Sequence, residues 1–226
     1  MKVLSVNIAQ PKSVDYTTQA QGLTGIDKRP VEGPVRVSAP GPMGSAGSGL
    51  AGDAVCERRF HGGHDQAVYA YAREDLDAWE QLLGRPLTHG SFGENLTTLG
   101  LDPTATLIGE RWRVGGQVLL EASASRIPCR TFAGWLGERG WTKTFTARAV
   151  PGAYFRVIEP GEIRPGDAVE VVHRPAHTVT VGLEFRALTT ERALLPRLLA
   201  AEEVLHPKAR EAARKYVAEQ GSSRAR

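Results

Sequence analysis

A mainly β chain with some α, built as a β-barrel core followed by a small three-helix unit, is the fold this sequence predicts. Three observations carry that expectation. Short runs rich in β-branched, aromatic and alternating apolar residues recur at 3–8, 35–37, 67–71, 111–114, 118–122, 154–158 and 168–172. Turn chemistry separates them: Gly115-Gly116 makes a tight hairpin, Glu159-Pro160-Gly161 joins another pair, and Arg164-Pro165-Gly166-Asp167 precedes the last strand. After Arg174-Pro175-Ala176 the pattern changes from period two to a helical one. Many short strands at this spacing suit a barrel or closed sheet.

Helices within the first part are few. Residues 75–83 place Leu76, Trp79, Leu82 and Leu83 on one side, with Gly84 to stop the helix and Pro86 beyond. A second helix runs over 129–136, with Phe132, Ala133 and Leu136 inward and Gly137 at its end. Residues 38–52 are rich in Gly, Ala, Pro and Ser and read as a mobile loop. The C-terminal part reads as three short amphipathic helices, 181–188, 191–201 and 208–218, the last started by His206-Pro207. Helices this short are marginal alone and must pack on one another, on the barrel or on a second subunit. The division expected is therefore 1–174 for the barrel, 175–220 for the helices and 221–226 for a disordered tail.

Composition narrows the function. With 226 residues, 41% apolar and 23% charged, the chain suits one substantial core plus a small appendage. It has no run of about 18 apolar residues, and Met1-Lys2-Val3-Leu4-Ser5-Val6-Asn7 alternates like a strand rather than a leader. A soluble cytoplasmic protein with no membrane partner is the expectation. Two cysteines are too few for a disulfide framework, a cluster with four thiolate ligands or a four-cysteine zinc site. Redox chemistry would need electrons from a partner. The pI near 9.0 is misleading about nucleic acid. From His173 onward lie 10 of the 28 basic and 6 of the 25 acidic residues, leaving 18 and 19 for the rest, so the excess base sits in the tail. Aromatics interleaved with basic residues are not evident, and nucleic acid is not expected as the main partner.

Three motifs carry chemistry. In Arg126-Ile127-Pro128-Cys129-Arg130 a cysteine follows a proline between two cations where a helix begins. Positive neighbours and a helix start favour thiolate, which is either a nucleophile or a ligand for a soft metal. In His61-Gly62-Gly63-His64-Asp65 the paired glycines let backbone approach a ligand and turn N–H groups onto an anion, or simply make a turn. Zinc on His61, His64 and Asp65 is disfavoured, because Gly-Gly gives no rigid ligand spacing. In Gly93-Glu94-Asn95-Leu96 the carboxylate and amide can fix backbone amides or a polar ligand.

In this order, His61-Gly62-Gly63 with Asp65 and Ala67-Val68-Tyr69, then Gly93-Glu94-Asn95-Leu96, then Arg126-Ile127-Pro128-Cys129 resemble the MOSC domain, the module shared by molybdenum cofactor sulfurase C-termini and amidoxime-reducing enzymes. The likeness extends to Gly25-Ile26-Asp27-Lys28-Arg29-Pro30-Val31, Gly52-Asp53 and Gly152-Ala153-Tyr154-Phe155-Arg156-Val157, over residues 1–172. With its helical tail the chain resembles bacterial stand-alone MOSC proteins that carry a C-terminal three-helix domain. One departure is Gln66, where many relatives have lysine, which removes a cation near the expected anion site.

The resemblance implies a MOSC-type β-barrel that holds molybdenum cofactor (molybdopterin), with Cys129 as the protein's ligand to the metal and Cys129 and His61 as catalytic residues. Arg126 or Arg130 would offset the negative charge of thiolate and cofactor phosphate. His61, the Gly62 and Gly63 amides, Lys28, Glu94, Asn95 and Arg156 are the further cofactor-binding candidates it implies, and Cys56 reads as an ordinary thiol. The implied activity is reduction of N-hydroxylated compounds, including hydroxylaminopurine base analogues and amidoximes, to amines, a detoxification. His61, His64 or Glu94 would deliver protons, and an external flavoprotein or small redox carrier would supply electrons. Two other readings stay open: a cysteine-nucleophile hydrolase in which His61 activates Cys129, and a non-catalytic carrier or sulfur-transfer module for the cofactor. The helices are surfaces for a homodimer or for the electron donor, both open.

Overall fold

The computed structural model describes residues 1–224. The strands are β1 (Lys2–Ile8), β2 (Lys12–Ser13), β3 (Leu23–Thr24), β4 (Arg29–Pro30), β5 (Val35–Val37), β6 (Val68–Ala72), β7 (Leu96–Leu99), β8 (Arg111–Val114), β9 (Val118–Ser125), β10 (Ala153–Glu159), β11 (Gly161–Ile163) and β12 (Val169–His173). The helices are α1 (Arg73–Leu83), α2 (Arg130–Leu136), α3 (Trp141–Arg148), α4 (Val181–Thr189), α5 (Leu195–Leu198) and α6 (Pro207–Arg224).

Eight strands form one sheet in the order β12-β8-β9-β10-β6-β7-β1-β4. The sheet curls until its ends meet. Lys2 bridges Ala168, the Val3 N–H donates to Asp167 O at 2.9 Å, and the Val169 N–H donates to Met1 O at 3.0 Å. Closing the barrel removes the open edges that β1 and β12 would otherwise expose. Among the described residues only β6 and β7 run parallel, and parallel neighbours need a crossover connection, which α1 provides. The Gly115-Gly116 turn between β8 and β9 takes positive φ at both residues, 58° and 74°, and is closed by the Gln117 N–H donating to Val114 O at 3.2 Å.

Two apolar clusters hold the molecule. One fills the barrel through Val3, Val68, Val118, Leu120 and Phe155 and continues without interruption into Val181, Leu183, Leu198 and Ala213 of the C-terminal helices. The helices after Pro175 thus share the barrel's core. Backbone ties reinforce this: the Ile108 N–H donates to Val179 O at 3.0 Å and the Val181 N–H to Thr106 O at 2.9 Å. The second cluster is aromatic and packs Tyr71, Trp79, Phe92, Phe132, Trp141 and Phe145 between β6 and helices α1 to α3. Phe92 and Phe132 meet edge to face at 5.2 Å, a geometry worth about 1 kcal/mol beyond area burial.

Three expectations are corrected. Residues 191–201 are not one helix but α5 flanked by two 3-10 turns, Arg192–Leu194 and Leu199–Ala201; Pro196 lacks the N–H a continuous helix requires. The loop 38–52 is fastened: the Ser38 N–H donates to Gly49 O at 2.9 Å, the Gly49 N–H to Ala67 O at 2.7 Å, and the Gly63 N–H to Gly47 O at 2.9 Å. Helix α6 continues through Arg224 where a tail was expected, and residues 225–226 lie outside the described part.

Candidate functional site

β9 ends at Ser125, Pro128 disfavours helical backbone at Ile127, and Cys129 stands in extended backbone (φ −122°, ψ 170°) immediately before α2. Its thiol is half-buried. Burial would raise its pKa, but a hydrogen bond from His61, the charge of Arg126 and the Phe132 N–H together hold it at about 6, well below the ordinary thiol. Cys129 is therefore largely thiolate at neutral pH.

Arg126 is the buried cation of the site. Its guanidinium lies over the rings of Phe132 (4.1 Å) and Tyr69 (5.2 Å) and donates to Phe92 O at 2.8 Å. Burial opposes its charge, whereas the Tyr154, Tyr69 and Cys129 side chains support it. Its Nε is buried with no hydrogen-bond partner. A buried guanidinium N–H without an acceptor is costly, and an anion in the cleft would supply one.

Lys28 is also buried, paired with Asp53; burial lowers its pKa against the pull of that carboxylate. Asp53 accepts in addition from the Ala9 N–H and from Asn95 Nδ2, both at 2.9 Å. The Asn95 carbonyl accepts the Tyr69 N–H at 3.1 Å. Lys28, Asp53 and Asn95 thus clamp three loops into one wall. Gly62, at φ 78°, lets loop 38–52 pass so close that a Cβ would sit 2.6 Å from Gly47 O.

These residues line an open cleft that holds Lys28, Asp53, Cys56, His61, Gly62, Gln66, Asn95, Arg126 and Cys129. A second lobe opens from it between the barrel and the C-terminal helices, and the two share Glu57, His61, Gln66, Cys129, Thr131 and Tyr154. Among the described residues there is no group of three or more His, Cys, Asp or Glu able to hold a metal ion. A metal at Cys129 would have to arrive carrying most of its own ligands.

Of the expected site residues, the structure gathers Lys28, His61, Gly62, Asn95, Arg126 and Cys129. Glu94 does not reach the cleft: its buried carboxylate accepts from the Gly90 N–H (2.6 Å), the Phe92 N–H (2.9 Å) and Thr97 Oγ1 (2.9 Å), bracing its own loop. Arg156 is likewise occupied, donating to Asp65 (2.7 Å), Glu121 (3.1 Å) and Val204 O (2.8 Å), so it ties the barrel to the C-terminal helices. The Gly63 N–H is taken by Gly47 O. Arg130 is exposed and lines only the second lobe, and His64 is exposed outside both. Cys56, taken as an ordinary thiol, lies half-buried in the cleft wall, its pKa raised by burial. Glu184 and His206 of the second lobe were not foreseen. The available signal was a carboxylate inside the apolar run Val181-Gly182-Leu183-Glu184-Phe185.

Comparison with known proteins agrees with this architecture. The MOSC domain family matches residues 57–170. YflK of Bacillus subtilis is 32% identical over 179 residues, covering 79% of this chain and 76% of that protein. A protein named reductase from Gibberella moniliformis is 32% identical over 159 residues, which is 67% of this chain but 26% of that protein. The crystal structure of YiiM from Geobacillus stearothermophilus superposes with a TM-score of 0.75 at 28% identity, over 95% of this chain and 97% of that one.

Proposed function

The chain belongs to the MOSC domain family, and on that footing we propose that it is a molybdenum-cofactor-binding oxidoreductase that reduces N-hydroxylated compounds to amines with electrons from an external flavoprotein or small redox carrier. The observation that carries this reading is the pairing, in one cleft, of an ionised Cys129 with the buried, unpartnered Nε of Arg126.

The residues fit such a cofactor. MOSC domains are associated with molybdenum cofactor, whose metal is already held by a dithiolene and accepts a thiolate as a soft ligand. Cys129 would be that ligand. Arg126 would meet negative charge, and Lys28 and Gly62 would line the polar part of the cofactor. When bound, the cofactor supplies a centre that exchanges two electrons and an oxygen atom.

The chain's own residues do the rest. His61 holds the Cys129 sulfur by hydrogen bond and keeps it ionised. Tyr69 and Phe132 pack against Arg126 and keep water from its faces. The reaction balances as R–NH–OH plus two electrons and two protons giving R–NH₂ and water. The reductase name of the Gibberella relative supports an oxidoreductase. No described helix is long and apolar enough to cross a membrane.

The Cys129–His61 hydrogen bond favours one other reading, a cysteine nucleophile activated by histidine. Protein made in a host that synthesises the cofactor should reduce benzamidoxime or 6-hydroxylaminopurine with reduced viologen as donor. Failure to reduce either, together with ester or amide cleavage by metal-free protein, would select the nucleophile instead.

A further inference from the structure

The second lobe has polar groups that neither the barrel's stability nor the proposed cofactor site explains. His206 is 7% exposed. Its Nδ1 accepts the Lys208 N–H at 3.2 Å, so the neutral ring carries its hydrogen on Nε2. That Nε2 is buried and has no partner, and the same holds for Gln66 Oε1. Both residues line the second lobe. One is a donor and the other an acceptor, each buried without the bond that normally accompanies burial. Glu184, 1% exposed, lines the same lobe and accepts the Ser125 N–H at 2.6 Å. Apolar surface from Phe60, Ile127 and Leu188 completes the walls.

We propose that this lobe, closed on one side by the C-terminal helices, is the substrate-binding half of the Cys129 site, where His206 Nε2 and Gln66 Oε1 take an acceptor and a donor of a neutral, partly apolar molecule. The substrate class, an N-hydroxylated amidine or heterocyclic amine, rests on the reading above; the location of the lobe does not. Such molecules offer a ring-type or imine nitrogen that accepts, an N–H that donates, and an apolar body for Phe60 and Leu188. The lobe opens onto Cys129, and Gln66 and Cys129 both line the passage that the two lobes share. Glu184 faces it from the helix side. Burial, opposed by the Ser125 hydrogen bonds and by Arg156, raises Glu184 to about 7, so near neutral pH it is available as a neutral carboxyl group at the lobe wall. The role this gives the C-terminal helices is recognition: they carry Glu184, Leu188 and His206 of the lobe's lining.

The test is calorimetric titration of the full-length protein with benzamidoxime as the probe, before and after loading with the cofactor. His206→Phe and Gln66→Leu should each weaken binding about tenfold, the effect of removing one buried hydrogen bond, with molybdenum content unchanged. His206→Gln, which keeps a donor, should bind within about threefold of wild type. In turnover the same variants should raise KM about tenfold and leave kcat nearly unchanged. If His206→Phe fails to fold, Gln66→Leu, on the barrel side, carries the test. Absence of wild-type binding at millimolar probe, or equal affinity in wild type, His206→Phe and Gln66→Leu, would overturn the lobe's assignment. Binding that follows the variants without any reduction in the loaded protein would sustain the lobe and overturn the reductase reading.

Discussion

Replacing His61 with alanine should move the titration of Cys129 in a way that a single-pH reactivity assay would miss. The difference between the ordinary thiol value of 9.0 and about 6 amounts to about 4 kcal/mol of preference for thiolate. Burial opposes ionisation, and the His61 hydrogen bond is the largest influence that offsets it, ahead of the Arg126 charge. Removing it should return the thiol to about 8, leaving only ~10% thiolate at pH 7 instead of ~90%. A more basic thiolate is also a stronger nucleophile, by roughly a factor of eight over that range, so the alkylation rate at pH 7 would change little. The midpoint is the informative quantity. Absorbance at 240 nm against pH, on the metal-free protein in a Cys56→Ala background, should give a midpoint near 6 for His61 and near 8 for alanine. A wild-type midpoint above 8, or one that His61→Ala leaves in place, would refute the site's electrostatics.

Linkage gives a pH signature of opposite sign at Glu184. Its folded pKa, about 7, is raised above the unfolded value near 4.5, so its contribution is fully present below pH 4.5 and lost as pH rises through 7; Glu184→Gln should therefore stabilise the protein at pH 8 by up to roughly 3 kcal/mol and not at pH 4.5, read as the difference in Tm. Gly62→Ala places a side chain at positive φ and 2.6 Å from Gly47 O, and thermal denaturation should show a loss of about 2–3 kcal/mol as loop 38–52 is pushed off. Arg156→Ala leaves Asp65 and Glu121 without their shared cation and should cost about 2 kcal/mol of stability, while molybdenum content per folded protein stays at the wild-type level.

The barrel was legible because its strands carry their own signal. Arg111-Trp112-Arg113-Val114 alternates and is joined by Gly115-Gly116 to an apolar partner, and the structure pairs those two runs. Helix α3 was not legible: Trp141 and Phe145 are its buried residues, and its three threonines are poor helix formers. The aromatic cluster, built from residues distant in sequence, holds it instead. At the site, Cys129, His61 and Arg126 could be read because local sequence sets their chemistry: a proline before a thiol, a glycine pair after a histidine. Whether a charged group faces a cleft or braces a loop depends on contacts across the fold. Glu94 closes onto amides within its own loop, and Arg156 reaches Val204, 48 residues away. His206 and Glu184 line the cleft only because the C-terminal helices continue the barrel's core, a packing that no local pattern announces.

The most direct test of the central claim is metal analysis with cofactor release on the wild type and on Cys129→Ala, both made in a host that synthesises molybdenum cofactor. The account predicts near-stoichiometric molybdenum in the wild type and its loss in Cys129→Ala, with the fold retained. Molybdenum absent from both would contradict the cofactor assignment, and molybdenum retained by Cys129→Ala would contradict the assignment of its ligand.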